Sequence, residues 1–174
     1  MMTKKAWTLM AATAALCLPA SFAPAAPPSY KDGGLAPGPI EDIWKPAATP
    51  KGGISWKTLE ATGETTRRDE EGYILSKPKF TQRVKALAGK RIRVAGWMMP
   101  LENSAEQKHF VLLGYPPGCP FHFHAMPNQF IEIYADKPFK TNERTSFVVS
   151  GVLELTGYDE SGIFYRMKQA RPAG

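Results

Sequence analysis

The chain has 174 residues, 22 basic against 16 acidic side chains, and a formal net charge of +6. Basic blocks such as Arg67-Arg68 are answered at once by Asp69-Glu70-Glu71. This mixing points to a solvated surface over nucleic-acid binding, which wants basic residues gathered on one face, and 2 cysteines in one domain's length argue against a disulfide-built scaffold.

Lys4 and Lys5 precede an apolar run, Ala6 to Leu18, which Pro19 ends; Ala23-Pro24-Ala25 then offers a small-x-small cleavage site. This three-part pattern reads as a cleaved secretory signal over residues 1–25. The run is shorter than the ~20 residues of a spanning helix. A lipoprotein anchor at Cys17 is disfavoured by Leu16, which stands where a small residue is usual. The mature protein is expected in the periplasm, not spanning the membrane. Cleavage removes Cys17 and leaves Cys119 as a lone thiol in an oxidising space, where burial, a metal or redox work must account for it.

Residues 26–53 are rich in Pro, Gly and Ala and read as a flexible leader, with Ile43 and Trp44 able to dock locally. The domain is expected over 54–174, opening on Ile54 to Leu59. Residues 60–72 are polar and charged and read as a loop. Phe80, Val84 and Leu87 share one helical face, predicting a short helix within 78–89 that stops at Gly89. The period then changes to two. Strands are predicted at 91–98, 108–113, 129–134, 146–155 and 163–167. Five strands with short connections, and Gly96 and Gly151 inside strands, predict a mainly β fold: a small OB-like five-stranded barrel with one short helix. A β-sandwich is the alternative. Trp44, Trp56 and Trp97 read as packing aromatics, and one of Met98 and Met99 as core.

The segment Gly118 to Gln129 carries the mature chain's one cysteine and two of its three histidines. Cys, His and Met bind borderline and soft transition metals. In an extended His122-Phe123-His124 both rings project to one side, about 6.6 Å apart. A turn at Gly118-Cys119-Pro120 could fold the sulfur toward them. Cys119, His122 and His124 would leave one tetrahedral position for Met126, His109, Glu132 or water; Met126 would tilt preference toward copper, a carboxylate or water toward zinc. His109 reads as an ordinary strand-edge histidine. The competing readings are a buried thiol with satisfied histidines and a single-cysteine redox protein. No C-x-x-C or resolving cysteine supports the latter.

The segment Gly89-Lys90-Arg91-Ile92-Arg93-Val94-Ala95-Gly96-Trp97-Met98-Met99-Pro100-Leu101 resembles the first signature of an uncharacterised bacterial family of small exported proteins, classed as a domain of unknown function. Phe110 to Leu113, Gly118-Cys119, His122 and Pro127-Asn128-Gln129 resemble its second; Gly151 to Leu153 and Tyr165 to Met167 also fit. The resemblance covers residues 54–170. It implies a periplasmic OB-like barrel linked to a MacB-like ABC permease, with a role in zinc handling and no established enzyme activity. It carries over Cys119 and one histidine as ligands, with Pro127, Asn128 and Gln129 as structural markers. His122-Phe123-His124-Ala125-Met126 departs from the proline run expected there. The functional expectation is a carrier or accessory factor that binds a transition metal, zinc before copper, for a membrane transporter. A metal-free module docking on an ABC permease is the alternative.

Overall fold

The computed structural model describes residues 45–117, 125–158 and 160–173. The expected signal peptide, most of the expected leader, Trp44, Cys119, His122 and His124 lie outside the described residues.

The elements in chain order are α1 (Trp56–Glu60), β1 (Gly63–Arg68), β2 (Ile74–Lys79), α2 (Gln82–Lys85), β3 (Arg91–Pro100), β4 (Glu106–Leu113), a 3-10 turn (Pro127–Gln129), β5 (Phe130–Lys140), β6 (Phe147–Leu155) and β7 (Tyr165–Pro172). The last five strands close a barrel in the order β3-β4-β5-β7-β6, with β6 returning to β3. All neighbours run antiparallel except β5 and β7. This is the five-stranded Greek-key order of an OB-like barrel, as the period-two segments predict. Among the described residues, no helix is long and apolar enough to cross a membrane.

The barrel interior follows from alternation along each strand. Val94, Phe110, Leu112, Ile131, Ile133, Val149, Leu153 and Met167 point inward and are buried in one cluster. Met98 joins it, while Met99 packs on the outside. Each large side chain fully withdrawn from water stabilises the fold by roughly 1.5–3 kcal/mol. Gly151 sits where the β6–β7 register shifts. A Cβ there would collide with the Met167 side chain and stand 2.8 Å from Lys168 O, so the barrel creases where only glycine fits.

One end of the barrel is plugged from before β3. Trp56 and Leu59 of α1, Val84 of α2 and Phe80 are buried in the same cluster. The Trp56 indole donates to Ala95 O at 2.7 Å, which fixes α1 across the barrel mouth. Tyr165 Oη donates to Leu59 O at 2.7 Å and lies 2.6 Å from the Thr62 hydroxyl, which can donate in return. Burial pushes the Tyr165 phenol up to about 12, against the lowering effect of the Thr62 bond.

Local expectations differ from the structure at three places. Residues 60–72 hold β1 instead of a loop, pairing with β2 as a hairpin from Gly63–Lys79 to Arg68–Ile74. The helix expected within 78–89 is shorter: Pro78 and Lys79 belong to β2, and Thr81 begins α2 by accepting from the Val84 N–H. Residues 45–53, counted with the leader in the sequence, lie against the domain. Ala47 is buried and donates to Gly114 O at 2.8 Å, and the Ile54 N–H donates to Arg93 O at 2.8 Å.

Candidate functional site

The Cys/His segment belongs to the connection between β4 and β5. Both feet of that connection are described, and they are joined. The Gly114 N–H donates to Gln129 O at 2.9 Å, so the two described feet of the connection meet at one place. Gly114 is required for this approach. A Cβ there would stand 2.6 Å from Trp56 Cδ2.

The feet are tied to α1 as well as to each other. Tyr115 Oη donates to Glu60 Oε1 at 2.7 Å, and Gln129 Nε2 donates to the same oxygen at 3.2 Å. Burial, then the bond to Glu60, pushes the Tyr115 phenol up to about 12. The Asn128 amide donates to Glu60 O at 3.1 Å and Thr62 O at 3.0 Å. Glu60 O is at the C-terminal end of α1, where helices leave acceptors without internal partners, and Thr62 O lies just beyond it. Gln129 Oε1 accepts from the Met126 N–H at 3.1 Å. The Pro127-Asn128-Gln129 triplet is thus an anchor, with its two amides spent on the helix and the turn.

Met126 is half exposed beside this anchor. With Pro127, Asn128, Phe164 and residues 60–64 it lines a cleft of about 300 Å³ whose rim carries Glu60 and Glu64. Next to it, Val111, Leu113 and Phe130 face outward from β4 and β5 and are still buried, with Ala125, Met99 and Ile163 against them. Here both faces of the strands are covered.

Residues 44–171 match the family described as "Protein of unknown function (DUF3299)". The chain belongs to the DUF3299 family. Among solved structures it is similar to a DUF3299 family protein from Pseudomonas aeruginosa PAO1, with 25% identity over 52% of this chain, 66% of that one, and a TM-score of 0.42. The chain thus spans just under two thirds of that neighbour. No curated protein matches it.

A second polar cluster lies on the outer face of the DUF3299 barrel. Glu132 on β5 accepts from His109 Nε2 on β4 at 3.0 Å, Tyr134 Oη at 3.0 Å and Arg166 Nε on β7 at 2.7 Å. The His109 and Tyr134 rings stack at 4.4 Å. Burial alone would raise the Glu132 carboxyl, but the bonds from His109, Arg166 and Tyr134 and the Arg166 charge outweigh it and hold the group below the usual range. The bond to Glu132 in turn raises the Arg166 guanidinium.

Of the four metal-ligand residues expected from the sequence, Met126 is described, and Cys119, His122 and His124 fall outside the described residues. Of the further options, His109 and Glu132 are bonded to each other. Among the described residues no three of His, Cys, Asp and Glu gather around one point. Sequence reasoning misses Glu60, Thr62 and Tyr115, which hold the loop. Asn128 and Gln129 are visible as a motif, but their partners lie 66 to 69 residues away.

Proposed function

We propose that this DUF3299 protein is an exported, periplasmic carrier of a transition metal ion, zinc before copper, and serves a membrane transporter. Cys119, His122 and His124 are the ligands, with Met126 beside them at the loop's foot. The donor set of one thiolate and two imidazoles fits a borderline ion, and a bound ion of this kind would leave a position open for exchange. The observation that supports the reading is the joined foot: the Gly114–Gln129 bond and the Asn128 anchor tie down the described ends of the segment whose sequence carries the three donors. Loop closure made in advance lowers the cost of ordering the segment around an ion. Affinity should fall in acid, because protons compete for the thiolate and imidazoles.

Metal analysis of the purified protein, with zinc and copper in competition, tests this. One equivalent of bound metal is expected. Its loss is expected in the Cys119→Ser/His122→Ala/His124→Ala triple variant. Equal metal content in the two proteins would overturn the reading and favour a metal-free docking module.

A further inference from the structure

The β1–β2 hairpin leaves one strand edge open. The Asp69 N–H donates to Tyr73 O at 3.0 Å. Hydrogen-bonded pairs alternate along an antiparallel ladder, so the bonded pairs in the hairpin are Arg67–Leu75, Thr65–Lys77 and Gly63–Lys79. Pro78, opposite Glu64, has no N–H, which agrees with this phase. The main-chain groups of Glu64, Thr66 and Arg68 therefore point away from β2. The free side of β2 meets Ser161 through Ser76, but β1 has no second neighbour among the described residues. Residues Thr65 to Arg68 are exposed.

Such an edge is ordinarily blunted by shortness, charged side chains, a proline, a bulge or a covering element. β1 contains no proline, and its register with β2 is unbroken. What it carries on the outward-bonding residues is an acid at one end and a base at the other. Glu64 Oε2 accepts from Ser76 Oγ at 2.5 Å, and Arg68 Nη1 donates to Gly72 O at 2.9 Å. Each side chain thus keeps further bonding groups for a partner.

We propose that β1 is the docking edge for a second copy of this chain, whose own β1 adds antiparallel about a two-fold axis at Thr66. In that register Glu64 faces Arg68 of the second copy, Thr66 faces Thr66, and Arg68 faces Glu64. Every facing pair exchanges main-chain bonds, and both charged pairs are opposite in sign. Other registers are worse. Moving the axis by one residue loses the facing opposite charges. Moving it by two sets Glu64 on Glu64 or Arg68 on Arg68, and like charges directly opposite destabilise a sheet. The surface is self-complementary, as a two-fold interface requires. Because Glu64 lines the cleft beside the metal-loop anchor, the dimer would bring Arg68 of the second copy to that rim.

Sedimentation velocity of the purified full chain, from ~5 to ~500 µM, tests this; a small strand-to-strand contact implies a weak association in that range. The wild type is expected to shift from monomer to dimer. Thr66→Pro removes an outward N–H and no bond to β2, so it should remain monomeric with an unchanged melting temperature. Glu64→Arg and Arg68→Glu should each weaken the dimer tenfold or more, and the double variant should restore it. A wild type that stays monomeric throughout, a Thr66→Pro protein that dimerises equally well, or a double variant without recovery would each overturn the proposal.

Discussion

Asn128 holds two carbonyls of the α1 terminus with one amide group. Asn128→Ala leaves Glu60 O and Thr62 O without that partner, and the expected loss is about 1–3 kcal/mol, read as a lower urea midpoint with an unchanged slope. Gly114→Ala acts through sterics. The added methyl meets the Trp56 ring at 2.6 Å, and both groups are fixed, so a loss of roughly 1–3 kcal/mol is expected. Glu132 makes a prediction in pH. Its folded-state carboxyl is held below the ordinary 4.5. Its bonds therefore stabilise the protein fully above pH 4.5, and that stability drains as pH falls through the lower folded value. In Glu132→Gln, stability measured by denaturant at a series of pH values should be lower near neutrality and flatter below pH 4.5.

At the scale of elements, the legible part of the sequence was the barrel. Segments such as Arg91-Ile92-Arg93-Val94 alternate because one face looks into a packed interior and the other toward solvent, and that constraint is written at period two. The hairpin was not legible for the same physical reason. Gly63-Glu64-Thr65-Thr66-Arg67-Arg68 is exposed or half-exposed throughout, so no apolar face exists to mark it as a strand. Its position is settled by distant partners, including Arg67 and Lys77 on Glu160 at 2.5 and 3.4 Å. The helix predicted within 78–89 is shorter in the structure because Pro78 and Lys79 pair with β1, although Phe80, Val84 and Leu87 do pack in the core. The loop anchor was half legible: Pro127-Asn128-Gln129 announces a turn, but nothing local names α1 as its support. Gly151 carries the element-scale prediction. Gly151→Val would drive two methyl groups into Met167 at the barrel crease. An expected loss of roughly 1–3 kcal/mol or more should appear as a lower melting temperature and faster amide exchange in β6 and β7.

At the scale of the whole molecule, the barrel, its plug and the loop form a chain of dependence. The barrel holds α1 through Trp56 on Ala95, α1 holds Asn128, and Asn128 with Gly114 holds the loop that carries Cys119, His122 and His124. If these three are the metal ligands, affinity must depend on a residue that never touches the ion. Asn128→Ala should then weaken zinc binding, because a loosened foot adds to the cost of ordering the loop around the ion. Glu160→Ala, on the connection that braces the hairpin, should leave zinc affinity unchanged. The reciprocal effect is also expected. Zinc at a hundred times its dissociation constant should stabilise the wild type by about 2.7 kcal/mol, and at the same zinc concentration should stabilise the Asn128→Ala protein less. Isothermal titration of the two variants, paired with melting curves with and without zinc, reads both sides of this linkage. Equal zinc affinity in wild type and Asn128→Ala would show that the anchor shapes the fold without reaching the ligands.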